Sequence, residues 1–470
     1  MDDDKIKKFI EKYYDNQIIP NFMEFLKIPN GSPSYDPFWD QTKSIEKAAD
    51  FLANWVKSQN IKGLTSKIHK EIKRTPFLYI EIDPTSIKDK RTYLMYGHMD
   101  KQPGLDGWSE GLGPYNPQII NGKLYGRGAS DDGYALFSAI ASIKTCQENN
   151  FPLPKIVIII EGAEESYTED LEFYLNSLKD KIGTPELIIC LDSCCEDYKR
   201  LWMTTSLRGC ISIELNIKVL SIGMHSGGFS GLVPDSFMIL RTLLERIENS
   251  KNGELKERSL YVDIPQNRKE EIKRLFDIIG EDFVKQFPFC DKTNPLYDNV
   301  EDLIIANTWM PSLAIVGADG FPEANISGNV LRPETSVKLS FRLPPMVDSK
   351  TAGEKICEIL TKNVPFNAKV EAKIVDKGEG FNLQSKNFSE NLKGILNNAS
   401  KVYYGNAIEY MGEGGSVPFV EIFGEKFPQT DIAIIGVSGP WCNIHGTDEN
   451  LDLDYCKKFT CCLTYLIKNY

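Results

Sequence analysis

Histidine is the scarcest source of chemistry in this chain. Only four occur, at His69, His98, His225 and His445, so any imidazole chemistry rests on these positions. His98 lies in Tyr96-Gly97-His98-Met99-Asp100, at the end of the apolar run 92–99. On an extended strand, residues two apart share a face, so His98 and Asp100 point together. They do so at the edge where α/β sheets place their ligands. Asp is also the residue type that fixes a ligating imidazole through its second ring nitrogen. Alone, the pair reads equally well as a polar strand end.

Four further segments have the same character. Gly126-Arg127-Gly128-Ala129-Ser130-Asp131-Asp132-Gly133 stands just before a helical stretch. Its glycines allow a tight turn, and the helix dipole favours the two carboxylates at this end. One of them reads as a helix cap, and a carboxylate here could also bridge two cations. Glu161-Gly162-Ala163-Glu164-Glu165-Ser166 follows the apolar run 155–160. Three carboxylates at a strand end are not comfortable together without cations. Adjacent Glu residues can divide the labour, one on metal and one free as a base. Asp192 ends another apolar run, and His445 lies in 441–449, after the run 432–436. Each signal is weak alone. Together, His, Asp, Glu, Asp and His fall one per strand end. Two nitrogens and three carboxylates suit a pair of zinc ions sharing a bridging carboxylate.

The elements that must position these residues follow from patterning. The first 60 residues read as helical, with a Pro-Asn-Gly-Ser-Pro turn at 29–33. Runs at 77–82, 92–99, 155–161 and 186–192 read as strands, with helices at 131–149 and 168–178. Buried strands alternating with helices predict an α/β domain with a mixed sheet between helices. From about Leu207 the pattern changes. A strand at 210–220, a helix at 234–249, strands at 312–316 and 335–343, a helix at 349–361 and a strand at 368–375 give βαββαβ. That is a ferredoxin-like α+β layout, interrupted by a charged, irregular stretch at 250–310. Past Gly380 the α/β character returns, with a helix at 387–404, a strand at 432–436 and a helix at 451–469. The expected organisation is one catalytic α/β domain at 1–206 and 382–470, with an α+β domain inserted at 207–381.

Composition bounds the function. Of 470 residues, 41% are hydrophobic and 26% charged, enough for sizeable cores and against a disordered or fibrous chain. The longest apolar runs, such as 156–160, are far short of the roughly 20 residues of a membrane helix. The opening Met-Asp-Asp-Asp-Lys has no apolar region and does not read as a secretory signal. A net charge of −12 with no basic patch argues against a nucleic-acid partner. The eleven cysteines fall as singles and adjacent pairs, without Cys-x-x-Cys units, which reads as reduced cytoplasmic thiols. Cys461-Cys462 reads as core packing and His69, in a basic run, as a surface residue.

Gly97-His98-Met99-Asp100, then Gly126 to Asp132, then Glu161-Gly162-Ala163-Glu164-Glu165, in this order and spacing, resemble the co-catalytic zinc exopeptidase family. Its members include carnosine and other cytosolic dipeptidases, carboxypeptidase G, aminoacylases and succinyl-diaminopimelate desuccinylase. The resemblance covers essentially the whole chain and is nearest the dipeptidase branch. One departure is Asp131-Asp132-Gly133-Tyr134, where the family often has Asp-Asp-Lys-Gly; this bears on subfamily and substrate. The resemblance implies that Asp131 bridges two zinc ions, with manganese able to substitute. His98 and Asp192 would complete one ion, Glu165 and His445 the other, leaving no ligand role for Cys194-Cys195. Asp100 would orient His98, and Glu164 would be the general base that takes a proton from the attacking water. The Asp131-Asp132 peptide would be cis. The inserted domain would be a lid and dimerisation domain. From it, His225 would reach the active site of the partner subunit in a homodimer, and Arg342 would hold the carboxylate of a small peptide substrate. Asn325, Gly415 and Ser416 match cleft-lining segments. Two alternatives stand beside a dipeptidase. One is a deacylase or desuccinylase of N-acyl amino acids by the same mechanism. The other is a silent binding relative, which would need a broken ligand or base; none is broken.

Overall fold

The computed structural model of the chain describes residues 2–470, which fall into two compact units. The first comprises the residues up to Thr204 together with Leu383–Met411 and Pro418–Tyr470. Its centre is a six-stranded sheet in the order Leu64–His69, Phe77–Ile82, Lys155–Glu161, Thr92–His98, Leu187–Cys190, Asp431–Ile434. The first three strands pair antiparallel. The last four run parallel. The inner strands are apolar along their length and buried: Val157, Ile158 and Ile159 in one, Tyr93, Leu94 and Met95 in the next. Strands covered on both faces read as such continuous runs. Parallel pairing has a consequence for chemistry. It puts the C-terminal ends of four strands on one edge, with His98 in register with Glu161.

Helix Tyr134–Glu148 is buried all round, with Tyr134, Phe137, Ile140 and Ile143 at 1% exposure or less. It packs against strands Thr92–His98 and Lys155–Glu161 and against the C-terminal helix Leu453–Asn469. A helix apolar on every side belongs in the interior. Its few polar groups are paired there: Tyr14 Oη lies 2.9 Å from Ser138 Oγ and 2.6 Å from Thr460 Oγ1. Cys461 and Cys462 are buried in the C-terminal helix, as core packing requires. Strand Leu64–His69 was not legible in the sequence, because its outward residues are charged and polar. His69 consequently differs from expectation. It is half-buried on this edge strand, edge-on to Tyr79 with ring centroids 6.2 Å apart.

The second unit spans Thr205–Asn382 and takes in Gly412–Val417. Its antiparallel sheet has the order Ser312–Asp319, Glu334–Leu343, Gly209–Lys218, Lys369–Gly378. Ile211, Ile213, Leu215 and Ile217 alternate inward along one central strand, and helices Ser236–Ile247 and Ser349–Thr361 close over them. Each helix starts at an Asp cap: Asp235 accepts from Met238 N at 2.9 Å and Asp348 from Thr351 N at 2.7 Å. The βαββαβ order expected from the sequence is present. The stretch 250–310 is more regular than its composition suggested. It holds helices Gln266–Ile279 and Val300–Trp309, whose buried stripes are short, Ile272 and Leu275 in one and Val300, Ile304 and Thr308 in the other. No helix among the described residues is long and apolar enough to cross a membrane.

Ile213 is fully buried at the centre of the second unit's core. Ile213→Ala should cost that unit about 2–5 kcal/mol, read by denaturant unfolding. Metal content per folded chain should not change.

Candidate metal centre

Main-chain groups take part in most of the contacts that hold the shared sheet edge. His98 ends its strand, and its backbone N–H donates to Asp132 Oδ2 at 3.1 Å. That contact requires Gly97: a Cβ there would sit 2.6 Å from the same oxygen and 2.7 Å from Ala135 Cβ. Gly128, at φ +85°, turns the chain back over Lys101, where a Cβ would come within 2.7 Å of Lys101 Cε. Buried Lys101 in turn donates to the carbonyls of Phe25, Leu26 and Ile28, closing the end of helix Ile19–Leu26. The Asp131-Asp132 peptide is cis.

Asp131 is the centre of the arrangement. Its Oδ1 lies 3.0 Å from His98 Nε2 and its Oδ2 2.8 Å from His445 Nε2, so one carboxylate spans both imidazoles. Asp192 Oδ2 approaches His98 Nε2 at 3.8 Å, and Glu165 Oε2 approaches His445 Nε2 at 3.6 Å. Two groups could each hold a cation, His98 with Asp132 and Asp192, and His98 with Asp131 and Glu165. His98 Nδ1 faces the Asp100 carbonyl at 3.1 Å. A carbonyl only accepts, so Nδ1 carries the proton and Nε2 keeps its lone pair. Asp100 therefore orients His98 through its main chain, with its carboxylate 3.4 Å from the same nitrogen. That carboxylate also accepts the backbone N–H groups of Glu164 at 3.2 Å and Glu165 at 3.1 Å.

Burial dominates the electrostatics of the cluster. Burial pushes the Glu164 and Glu165 carboxyls well above the usual range, and the neighbouring carboxylates add to it. Burial, with Asp192 beside it, does the same to Asp132. Asp131 is the exception: burial opposes its charge, but hydrogen bonds from His445 and His98 hold it well below the usual range. Burial also opposes protonation of His445, yet Asp131 and Glu165 raise it to about 9. Glu165 Oε1 and Asp132 Oδ1 are buried without a hydrogen-bond partner among the described residues. A lone pair on His98 Nε2 facing a carboxylate oxygen at 3.0 Å needs a proton or a cation between them. These residues fit divalent metal: oxygen and imidazole donors gathered within reach of one another and negative in sum.

Sequence reasoning missed four residues here. Asp132 does not cap the helix that follows it; its carboxylate turns to the His98 main chain instead. Gln102 donates to Glu165 Oε2, in a short contact, and to Tyr35 Oη at 3.3 Å. Arg127 and Glu449 form a buried ion pair at 2.7 Å beneath the Asp131 turn. Each of these stands within a few residues of a ligand-type residue, which was the only signal available. Glu161, the first of the three clustered glutamates, is turned away. Its carboxyl accepts from Tyr96 Oη at 2.5 Å, and burial raises it to about 8.

The remaining site residues lie in the second unit. His225 is exposed, and its strand pairs with Val330–Leu331, which joins it to the segment that carries exposed Asn325. Its Nδ1 accepts from Gly228 N at 3.2 Å, so its proton is on Nε2. Arg342 is half-buried, in register with Ser312 and Cys210. Its guanidinium makes no hydrogen bond or ion pair among the described residues. Ser416 Oγ approaches Cys210 Sγ at 3.8 Å, and the carbonyl of Gly414, next to Gly415, accepts from Arg208 Nε at 3.1 Å. Arg208 is buried and also reaches the carbonyls of Ala306 and Met310, at the end of helix Val300–Trp309. Burial, and then the charge of Arg342, push it down to about 10.

The chain is similar in sequence and in fold to known dipeptidases. The Cys-Gly metallodipeptidase of Saccharomyces cerevisiae is 27% identical over 378 residues, 77% of this chain and 76% of that protein. The β-Ala-His dipeptidase of Mus musculus is 25% identical over 463 residues, 96% of this chain and 92% of that protein. Among solved structures, human carnosine dipeptidase 1 superposes with a TM-score of 0.82 at 19% identity, covering 99% of this chain and 98% of that one. A dipeptidase from Saccharomyces cerevisiae superposes with a TM-score of 0.81 at 21% identity, covering 100% and 98%. The family profile described as Peptidase family M20/M25/M40 matches residues 94–469, from the His98 strand to the C-terminal helix, and the chain belongs to that family.

Proposed function

We propose that this metallo-exopeptidase is a dipeptidase whose centre takes two divalent ions, zinc by preference and manganese as a substitute. The observation that carries the reading is the Asp131 carboxylate, spanning His98 and His445 with one oxygen on each. His98 and Asp192 serve one ion, Glu165 and His445 the other, and Asp131 both. Bound ions of this kind lower the pKa of a water and polarise a carbonyl. The chain's own residues do the rest. Glu164 makes no hydrogen bond or ion pair to any described residue through its carboxylate, while its backbone is fixed on Asp100. It accepts the proton of the attacking water and delivers it to the leaving amine.

Substrate recognition falls to the second unit, the lid. Arg342 has an unpaired planar fork suited to a peptide's terminal carboxylate. His225 presents Nε2–H outward as a donor for the carbonyl oxygen, and Asn325, Gly415 and Ser416 line the cleft. His225 acts across a homodimer. Edge strand Ser312–Asp319 supports such pairing, with Ile315 51% and Val316 60% exposed. Eleven cysteines, none bridged, support a reducing compartment, the cytoplasm. The names of the relatives make Cys-Gly and β-Ala-His the first dipeptides to assay. Release of free amino acid from a dipeptide panel, set against N-acyl amino acids, separates a dipeptidase from a deacylase. No hydrolysis of either by the metal-loaded protein would leave a silent relative.

Zinc or manganese should raise the thermal midpoint of wild type and saturate at two ions per chain by elemental analysis. Asp131→Ala should lose that stabilisation. Glu164→Gln should keep both ions while kcat falls about 10²–10⁴-fold. If both variants lose metal equally, the division between base and ligand is wrong.

The shared site predicts complementation. His225→Ala and Glu164→Gln chains, each inactive alone, should regain at most half of wild-type activity per dimer after subunit exchange. No recovery despite demonstrated exchange would remove His225 from the partner's site.

A further inference from the structure

Glu449 is 1% exposed and meets the Asp131 turn through main-chain N–H groups and the Arg127 side chain, so that it organises that turn from beneath. Gly128 N–H lies 3.1 Å from each of its oxygens. Ser130 N–H donates to Oε1 at 3.0 Å and Asp131 N–H to the same oxygen at 3.3 Å. Arg127 Nη1 donates to Oε2 at 2.7 Å. The Glu449 main chain joins in, its carbonyl accepting from Gly126 N at 3.0 Å. Arg127, also 1% exposed, directs its other donors to Gly446 O at 2.7 Å and Pro103 O at 2.9 Å. Gly446 directly follows His445, and Asp131 ends the turn that Glu449 holds. One buried carboxylate and one guanidinium therefore connect the main chain on either side of the Asp131–His445 contact.

Such a pair is a poor source of stability. Desolvating two charges costs several kcal/mol, and apolar replacement of a buried pair is often neutral or stabilising. Geometry is what it supplies. Asp131 must aim one oxygen at each imidazole, and His445 sits on an exposed loop with φ +62°. The loop is also held at points away from His445, by Asn450 Nδ2 on the Trp441 carbonyl at 2.8 Å and by Ser109 N on Asp448 Oδ1 at 2.9 Å; Arg127 is the side chain that reaches the residue next to His445.

We propose that Glu449 and Arg127 are positioning residues that set Asp131 against His445, and so govern the ion held by Glu165 and His445 more than the ion held by His98 and Asp192, the two sharing Asp131. The inference rests on the two-ion reading above.

The test measures zinc affinity, by competition with a chromophoric chelator, and zinc content of folded protein. Wild type is measured first. Glu449→Gln keeps the shape but turns an amide N–H₂ towards donors. The double variant Arg127→Met, Glu449→Gln removes both buried charges together, so no unpaired charge is left to unfold the protein. In both, one of the two affinities should weaken about 10–100-fold, with the other weakened less. Zinc content after dialysis should fall from two towards one. A purely structural role would lower the unfolding midpoint and leave both affinities unchanged, or weaken both alike; either result overturns the proposal while the two-ion reading stands. Fewer than two ions in wild type would overturn that reading, and the proposal with it.

Discussion

The structure turns on an unfavourable crowding of charge. Asp100, Asp131, Asp132, Glu164, Glu165 and Asp192 converge with two imidazoles at one end of a sheet. Left to themselves, such groups would repel, and burial would neutralise them, which is the direction in which Glu164, Glu165 and Asp132 move. A fold that keeps them together must supply structure to do so. The buried strands, the interior helix Tyr134–Glu148 and the hydrogen bonds to Asp100 are that structure. Cations complete it: they convert the repulsion into the attraction that makes the cluster worth holding.

Parallel pairing explains why the cluster can be assembled from such distant parts of the sequence. Strand ends on one sheet edge deliver His98, the Glu164-Glu165 loop, Asp192 and the chain leading to His445 without any of these needing to be neighbours in sequence. The main chain also positions more than the strands alone would. Asp132 reaches the His98 N–H only because residue 97 has no side chain. Asp100 fixes a histidine with its carbonyl and two glutamates with its carboxylate. A single residue thus sets the orientation of a nitrogen donor and of the loop that carries the unengaged carboxylate Glu164.

What was legible in the sequence follows the same physics. Strand ends with His and carboxylates stood out because apolar runs announce buried strands and polar residues at their ends need a reason. The βαββαβ insertion was legible because Ile211, Ile213, Leu215 and Ile217 alternate, a period that only a half-buried strand explains. Strand Leu64–His69 was hidden because an edge strand may be polar. Helices Gln266–Ile279 and Val300–Trp309 were hidden because each buries only a narrow stripe under charged residues. Arg127, Glu449 and Gln102 were invisible for a different reason. Their partners are backbone groups or side chains far away in sequence, and no spacing rule encodes a contact across 322 positions.

In the second unit a saturated and an unsaturated guanidinium stand side by side. Arg208 and Arg342 lie close enough for the charge of one to depress the other. Arg208 is spoken for: its guanidinium is spread over the carbonyls of Ala306, Met310 and Gly414 and the hydroxyl of Ser312. That arrangement gives the 250–310 insertion a structural role, because the end of helix Val300–Trp309 provides two of those acceptors. The Arg342 guanidinium has no partner among the described residues. Two like charges kept together, one neutralised by main-chain dipoles and one left open, form a standing attraction for an anion at the open one. On the proposed reading that anion is a peptide's terminal carboxylate, planar and bidentate; a chain continuing past that position would offer an amide where Arg342 would pair with a charge.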